Sequence, residues 1–160
     1  MAIRLRVCGE NEWALWKDVR LAALSEAPYA FGSTLADWRD ASEERWRERL
    51  RSVPYNVVAA IDGVDIGMAS GFPEDGNVLL ISMWVAPSVR GRGASDTLVE
   101  SVIRWARELG VAAVELDVVE DNLPAIALYR RAGFVDAGPS ARGEIEGVPQ
   151  RRMVFHFGRD

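Results

Sequence analysis

The run Val85-Ala86-Pro87-Ser88-Val89-Arg90-Gly91-Arg92-Gly93-Ala94-Ser95 decides how this chain is read. Before it, Val78 to Val85 is apolar and rich in branched side chains, which predicts a strand. After it, Leu98, Val102, Trp105 and Leu109 recur at helical spacing, widened by Val99, Ile103 and Ala106. Residues 95–109 therefore predict a helix, closed by Gly110. The two glycines between strand and helix let the backbone take positive φ and approach a ligand with no Cβ in the way. Free N–H groups of the loop and first helical turn, with the positive end of the helix dipole, form an anion site. Arg90 and Arg92 add charge-assisted donors, so the segment calls for a phosphorylated ligand, most simply a diphosphate. It is not a P-loop, because no lysine follows, and Ser95 and Asp96 after Gly93 break the G-x-G-x-x-G spacing. Taken alone, it also reads as an ordinary glycine loop with a helix cap.

Working outward, residues 3–8 alternate apolar and polar like a strand, and residues 10–26 place Trp13, Trp16 and Val19 at helical spacing before Pro28. Ser42 caps a predicted short helix with Glu43 and Glu44 in its first turn and Trp46 and Leu50 on one face. Arg45, Arg47, Arg49 and Arg51 of that helix interleave with Glu43, Glu44 and Glu48, and are read as a solvated, self-paired face. Residues 55–61 and 64–72 predict two strands joined at Asp62-Gly63, and Gly76-Asn77 marks the next turn. A strand at 112–119, a helix at 123–132 stopped by Gly133, and strands near 134–137 and 150–157 complete the chain. The order β-α-α-β-β-β-α-β-α-β-β predicts an α/β fold with a mixed sheet, not a doubly wound parallel one.

Composition bounds the function. At 160 residues, 49% hydrophobic and 27% charged, residues 1–160 read as a single globular domain. No apolar run approaches the roughly 18 to 20 residues of a membrane span, so no membrane partner is expected. A net charge of −5 argues against a nucleic-acid partner. Arg4, Arg6 and Glu10 stand where an export signal would be apolar, and the single cysteine, Cys8, suits a reducing compartment. Both predict a cytoplasmic protein. Cys8 reads as a strand residue and not a nucleophile, since His156 is the chain's one histidine and itself lies in a predicted strand. Lys17 is the sole lysine among 19 basic residues, a bias that points to a GC-rich bacterial genome.

A second segment narrows the chemistry. Asn122-Leu123-Pro124-Ala125-Ile126-Ala127-Leu128-Tyr129-Arg130-Arg131-Ala132-Gly133-Phe134 is a capped amphipathic helix. By itself Tyr129 reads as a half-buried core aromatic more readily than as a catalyst. Together the two segments resemble the GNAT superfamily of acyl-CoA-dependent N-acyltransferases. The family's phosphate motif Q/R-x-x-G-x-G/A, after a strand ending V-x-P, is matched by Val85-Ala86-Pro87 and the run Arg90 to Ser95. Its N-x-x-A-x-x-L-Y signature followed by G-F is matched at Asn122, Ala125, Leu128, Tyr129, Gly133 and Phe134. The element order from residue 3 to 157 fits as well.

The resemblance implies a mostly antiparallel central sheet of about seven strands flanked by four helices. Acyl-CoA, with acetyl-CoA the expected cosubstrate, would lie in a splay between the strands at 78–85 and 112–118, and no metal is implied. Met83, Trp84 and Val85 would pair with pantetheine, and Arg90, Gly91, Arg92, Gly93, Ala94 and Ser95 would cradle the diphosphate. A bulge near Val85 would aim an N–H at the thioester oxygen, Asn122 would help hold CoA, and Tyr129 would protonate the departing thiolate. Ser95 departs from the family's glycine or alanine, and Asp96, which would repel a diphosphate, is expected to point away. Glu115 and Asp117 share one strand face beside the proposed cleft and are the candidate bases, equally readable as solvated carboxylates, while Ser82 could position a water. The reading is an N-acetyltransferase acting on a primary amine, with the acceptor unnamed and a homodimer left open. The net charge leans toward a cationic acceptor. A non-catalytic acyl-CoA-binding or regulatory module of the same fold is the alternative.

Overall fold

The computed structural model describes residues 2–158. Seven strands form one sheet in the order β1-β2-β3-β4-β5-β7-β6. They are β1 (Ile3–Val7), β2 (Tyr55–Ile61), β3 (Val64–Glu74), β4 (Asn77–Val85), β5 (Ala113–Val119), β6 (Val135–Ile145) and β7 (Val148–His156). Five α-helices flank it: α1 (Trp13–Glu26), α2 (Leu35–Trp38), α3 (Glu43–Ser52), α4 (Ala94–Leu109) and α5 (Leu123–Ala132). The fold class stands as expected, with one addition. The single-turn α2 exists because Thr34 and Asp37 cap each other reciprocally, each side chain taking the other's main-chain N–H.

The two-residue turns fall at Asp62-Gly63, Asp75-Gly76 and Glu146-Gly147, all with positive φ at both residues, as the twist of a hairpin demands. The second lies one residue before its expected place at Gly76-Asn77, and the third was not anticipated. β6 runs far beyond the expected 134–137. Gly138, Pro139 and Gly143 hide its alternation, and it tolerates them because it is an edge strand whose register with β7 slips twice.

The sheet separates two apolar layers. On one side α4 and α5 bury Leu98, Val102 and Leu128 against Val57, Leu80 and Leu116. On the other α1 and α3 bury Trp16, Trp46 and Leu50 against Val58, Met68 and Trp84. β4 and β5 form the one parallel pair, and only Val78↔Val114 and Leu79↔Glu115 are in register before the strands part. Among the described residues no helix is long and apolar enough to cross a membrane, and no cluster of His, Cys, Asp or Glu is placed to hold a metal.

Candidate active site

The parting of β4 and β5 opens a cleft of about 410 Å³ in the middle of the sheet. Met83, Trp84, Val85, Arg90, Gly91 and Ser95 line it from the β4 side, and Asp117, Asn122 and Tyr129 from the other. Two segments almost forty residues apart in sequence thus share one cavity, as expected. Arg92, Gly93, Ala94 and Glu115 do not line it. Ala94 packs its side chain into the core against the sheet, so only its main chain faces the loop.

The loop has the geometry of an anion cradle. Gly91 and Gly93 take φ of +83° and +89°, a region that side-chain-bearing residues rarely adopt. Gly93 caps α4 without any side-chain bond to the helix, whereas Ser42 and Asn122 cap α3 and α5 through their oxygens. No described hydrogen bond uses the main-chain N–H of Gly91, Gly93, Ala94 or Ser95. Unfilled donors at the positive end of a sixteen-residue helix fit a diphosphate. Asp96 is not in the cleft lining and pairs with Arg131 at 3.0 Å. Arg131 itself lines the cleft and was not singled out from the sequence. Its spacing from Pro124 and Leu128, four and then three residues, was the available signal.

Arg90 turns to the opposite wall. It donates to the Val85 carbonyl at 3.1 Å and to Glu26 at 3.0 Å, and the other Glu26 oxygen accepts the Trp84 indole N–H at 3.0 Å. Glu26 thereby ties the end of α1 to both ends of the β4–α4 junction. Nothing local in the sequence marks it, because its partners lie 58 and 64 residues away.

β4 is bulged at Ser82–Met83, two residues before Val85. Met68 pairs with Trp84 and Ser70 with Ile81, so two β4 residues oppose Ala69 alone. Ser82 sits at φ +57°, strained for a serine in a strand, and its hydroxyl accepts from Arg49 at 3.2 Å. The bulge turns main-chain groups away from β3 at the point where β4 borders the cleft.

Tyr129 is 7% exposed and meets Phe134 edge-on, with centroids 5.8 Å apart. Burial pushes its phenol well above the usual value of 10, so it stays protonated across the physiological range. Glu115 and Asp117 share a face, as expected, but neither is a free carboxylate. Arg152 grips Asp117 with two bonds of 2.8 and 3.0 Å and reaches Glu115 at 3.1 Å, while Arg142 holds the second Asp117 oxygen at 2.9 Å. The alternating Glu115 and Asp117 mate with Arg152 across the β5–β7 register, a pairing that sequence spacing does not reveal. His156 is exposed at the end of β7, outside the cleft lining.

The α3 arginines divide. Arg47 pairs with Glu43, and Arg51 with Glu44 and Glu48, as the self-paired face requires. Arg49 does not: it turns inward to Asn56, Ser70 and Ser82. It lies three residues after Trp46 and one before Leu50, on the buried side of the helix.

Residues 16–134 match the model of the acetyltransferase (GNAT) family. The chain belongs to the GNAT acetyltransferase family. It is 32% identical over 146 residues to a mycothiol acetyltransferase of Pseudarthrobacter chlorophenolicus, an alignment covering 84% of this chain and 42% of that protein. The chain spans about two fifths of the length of the mycothiol acetyltransferases it matches. A GNAT-family acetyltransferase from Streptococcus pneumoniae shares the fold with a TM-score of 0.80 at 19% identity, over 98% of this chain and all of that one. A PaiA N-acetyltransferase from Thermoplasma acidophilum, in complex with coenzyme A, does so with a TM-score of 0.75 at 14% identity, over 98% and 100% of the two chains. For a GNAT protein, the parting of β4 and β5 and the glycine loop are the features to interpret.

Proposed function

We propose that this chain transfers an acetyl group from acetyl-CoA to a primary amine by direct attack within a ternary complex. The observation that carries the reading is the β4–β5 cleft with an uncapped helix N-terminus at its mouth and a buried phenol on its wall. The main-chain N–H groups from Gly91 to Ser95 hold the diphosphate, and Met83 to Val85 offer pantetheine a strand edge where β5 has left β4. A solved relative of the same fold holds coenzyme A, which supports acetyl-CoA as the donor.

In the reaction, the amine nitrogen attacks the thioester carbon. Its C=O electrons move onto oxygen, where an N–H of the bulged Ser82–Val85 segment stabilises the developing charge. Collapse breaks the C–S bond, and Tyr129, protonated at working pH, donates to the departing sulfur. The proton released by the amine passes to water or to Asp117, which lines the cleft where Glu115 does not. The compartment this chemistry calls for is the bacterial cytoplasm, where the buried Cys8 stays a thiol.

The test is release of CoA thiol from acetyl-CoA across amino acids, polyamines, aminoglycosides, aromatic amines and peptide amino termini. Wild type and Tyr129→Phe are run side by side. Turnover that Tyr129→Phe slows supports both reaction and role. Turnover indifferent to the change removes Tyr129 from the mechanism, and no turnover with acetyl-CoA bound favours a binding module.

A further inference from the structure

Two half-buried arginines stand behind the α1–α3 wall of the cleft, outside its lining, with no acid bonded to them. Arg20, on α1, makes no hydrogen bond or ion pair through its guanidinium with any described residue, and its Nη1 is fully buried without a partner. Its one contact of note is stacking over the Phe31 ring at 4.7 Å, and Phe31 lines the cleft. Arg49, on α3, lies over Trp16 at 5.2 Å and is held by neutral oxygens only, those of Asn56, Ser70 and Ser82. Ser82 also lines the cleft, at the bulge.

The two charges feel each other. Burial pulls Arg20 down to about 10, and Arg49 falls to about 10 through burial with Arg20's charge adding to it. Three arginines elsewhere in this protein are paired with acids: Arg152 with Asp117 and Glu115, Arg142 with Glu74, and Arg90 with Glu26. Among the described residues, the buried side-chain atoms left without partners are the Arg20 Nη1 and the indole nitrogens of Trp16 and Trp46. All are donors, and all belong to the α1–α3 layer. Buried donors lacking acceptors, one of them on a guanidinium that has a second like charge for a neighbour, are costly in the folded chain alone. An oxyanion is the group that answers them, since guanidinium forks bond carboxylate and phosphate oxygens with matched geometry.

We infer that the acceptor is an amine that also carries an anionic oxygen group, a carboxylate or a phosphate, which enters between Phe31 and Ser82 to meet Arg20 and Arg49. This rests on the acetyltransferase reading and deepens it: the phosphate loop anchors the donor at one end of the cleft, and the arginine pair anchors the acceptor at the other. It reverses the leaning toward a purely cationic acceptor, because the whole-chain charge of −5 says nothing about a local, half-buried positive pair.

The experiment compares matched acceptors that differ only in the anion. One arm sets L-amino acids and β-alanine against their carboxamides. The other sets phosphoethanolamine against ethanolamine and glucosamine 6-phosphate against glucosamine. Wild type, Arg20→Met and Arg49→Met are assayed for kcat and KM, with acetyl-CoA-induced thermal stabilisation measured on the same samples. The expected result is a preference of tenfold or more in kcat/KM for the anionic member of one arm. Arg20→Met should erase that preference by raising acceptor KM at least tenfold, with the KM for acetyl-CoA within threefold of wild type. The same variant should be as stable as wild type or more so, because it removes a half-buried charge with no acid bonded to it. A purely structural arginine would move stability down and leave the acceptor KM alone. Should Arg49→Met unfold the protein, Arg20→Met and the matched acceptors still decide the matter. Equal use of neutral and anionic members, a preference that survives Arg20→Met, or no turnover in either arm while acetyl-CoA still stabilises the protein overturns the inference alone. If acetyl-CoA gives no stabilisation, the transferase reading falls and takes the inference with it.

Discussion

Replacing Gly93 by alanine tests whether the phosphate loop depends on its backbone conformation. Gly93 sits at φ +89°, ψ −1°, and an added Cβ would meet nothing nearer than the Ile3 Cδ1 at 4.0 Å. Gly91, at φ +83°, has nothing within 4 Å. Crowding is therefore excluded, and the whole effect is conformational. Holding an L-residue in the left-handed region costs about 1–2 kcal/mol, and the stiffer unfolded chain returns roughly 0.4–1 kcal/mol. If the loop keeps its shape, Gly93→Ala loses about 1 kcal/mol of folding stability, or about 2–4 °C in Tm. If the loop relaxes instead, the strain reappears when the ligand demands the cradle. Acetyl-CoA affinity then falls by the full 1–2 kcal/mol, about 5- to 30-fold. Urea unfolding and calorimetric titration with acetyl-CoA, run on the same preparations, should show the loss in one ledger or divided between the two. Gly93→Asn, which tolerates positive φ, should sit between wild type and alanine. Unchanged stability together with an unchanged Kd in Gly93→Ala would refute the claim that this φ shapes the donor site. So would an asparagine no better than alanine.

Other consequences follow from particular contacts. Tyr129→Phe should lower kcat by about 100-fold or more while leaving the acetyl-CoA Kd within about threefold, read by thiol release and titration. Arg90→Ala should weaken acetyl-CoA less than Gly93→Ala does, because Arg90 is already engaged by Glu26 and the Val85 carbonyl and the proposed reading assigns the diphosphate to the main chain. Arg152→Leu should cost about 2 kcal/mol in urea unfolding, since it strips Glu115 of its partner and leaves the 8%-exposed Asp117 side chain with Arg142 alone. Cys8 is buried, and burial raises its thiol from 9.0 to about 11. The unfolded chain therefore releases this proton first, and the linked stability is complete below about pH 9 and lost as pH rises through 11. Cys8→Ala should flatten the fall of Tm across that window, and native Cys8 should resist alkylation at pH 8.

How far the sequence reaches is clearest where it failed. The strands at 55–61 and 78–85 and the helices at 95–109 and 123–132 were legible because each carries its own periodicity and its own stop signal. β6 was not, since its glycines and proline are permitted only by its place at the sheet edge, and that place is a property of the whole fold. The glycine loop at the mouth of the cleft was legible for the same local reason: loop, cap and helix are contiguous in the chain. Glu26, Arg131 and the Arg152 clasp on Asp117 join residues 35 to 64 positions apart, and no local pattern encodes them.

Arg49 shows how such a misreading arises and what it conceals. Four arginines at alternate positions among glutamates satisfy every rule for a solvated helix face, and three of them make exposed bonds: Arg47 and Arg51 to acids, and Arg45 to the Asp37 carbonyl. Alternate positions on a helix are 200° apart, however, so a two-residue repeat cannot keep four side chains on one face. Arg47 and Arg49 both border the Trp46–Leu50 stripe, and Arg49 is the one that turns inward, to Asn56, Ser70 and Ser82. A charge forced into an apolar layer would be selected against unless its neighbours made use of it. Here its neighbours are a strained serine on the cleft wall and a second arginine whose buried Nη1 has no hydrogen-bond partner. The position that broke the amphipathic pattern is thus the one that touches the strand bulge, which is why the acceptor's chemistry is sought at that end of the cleft.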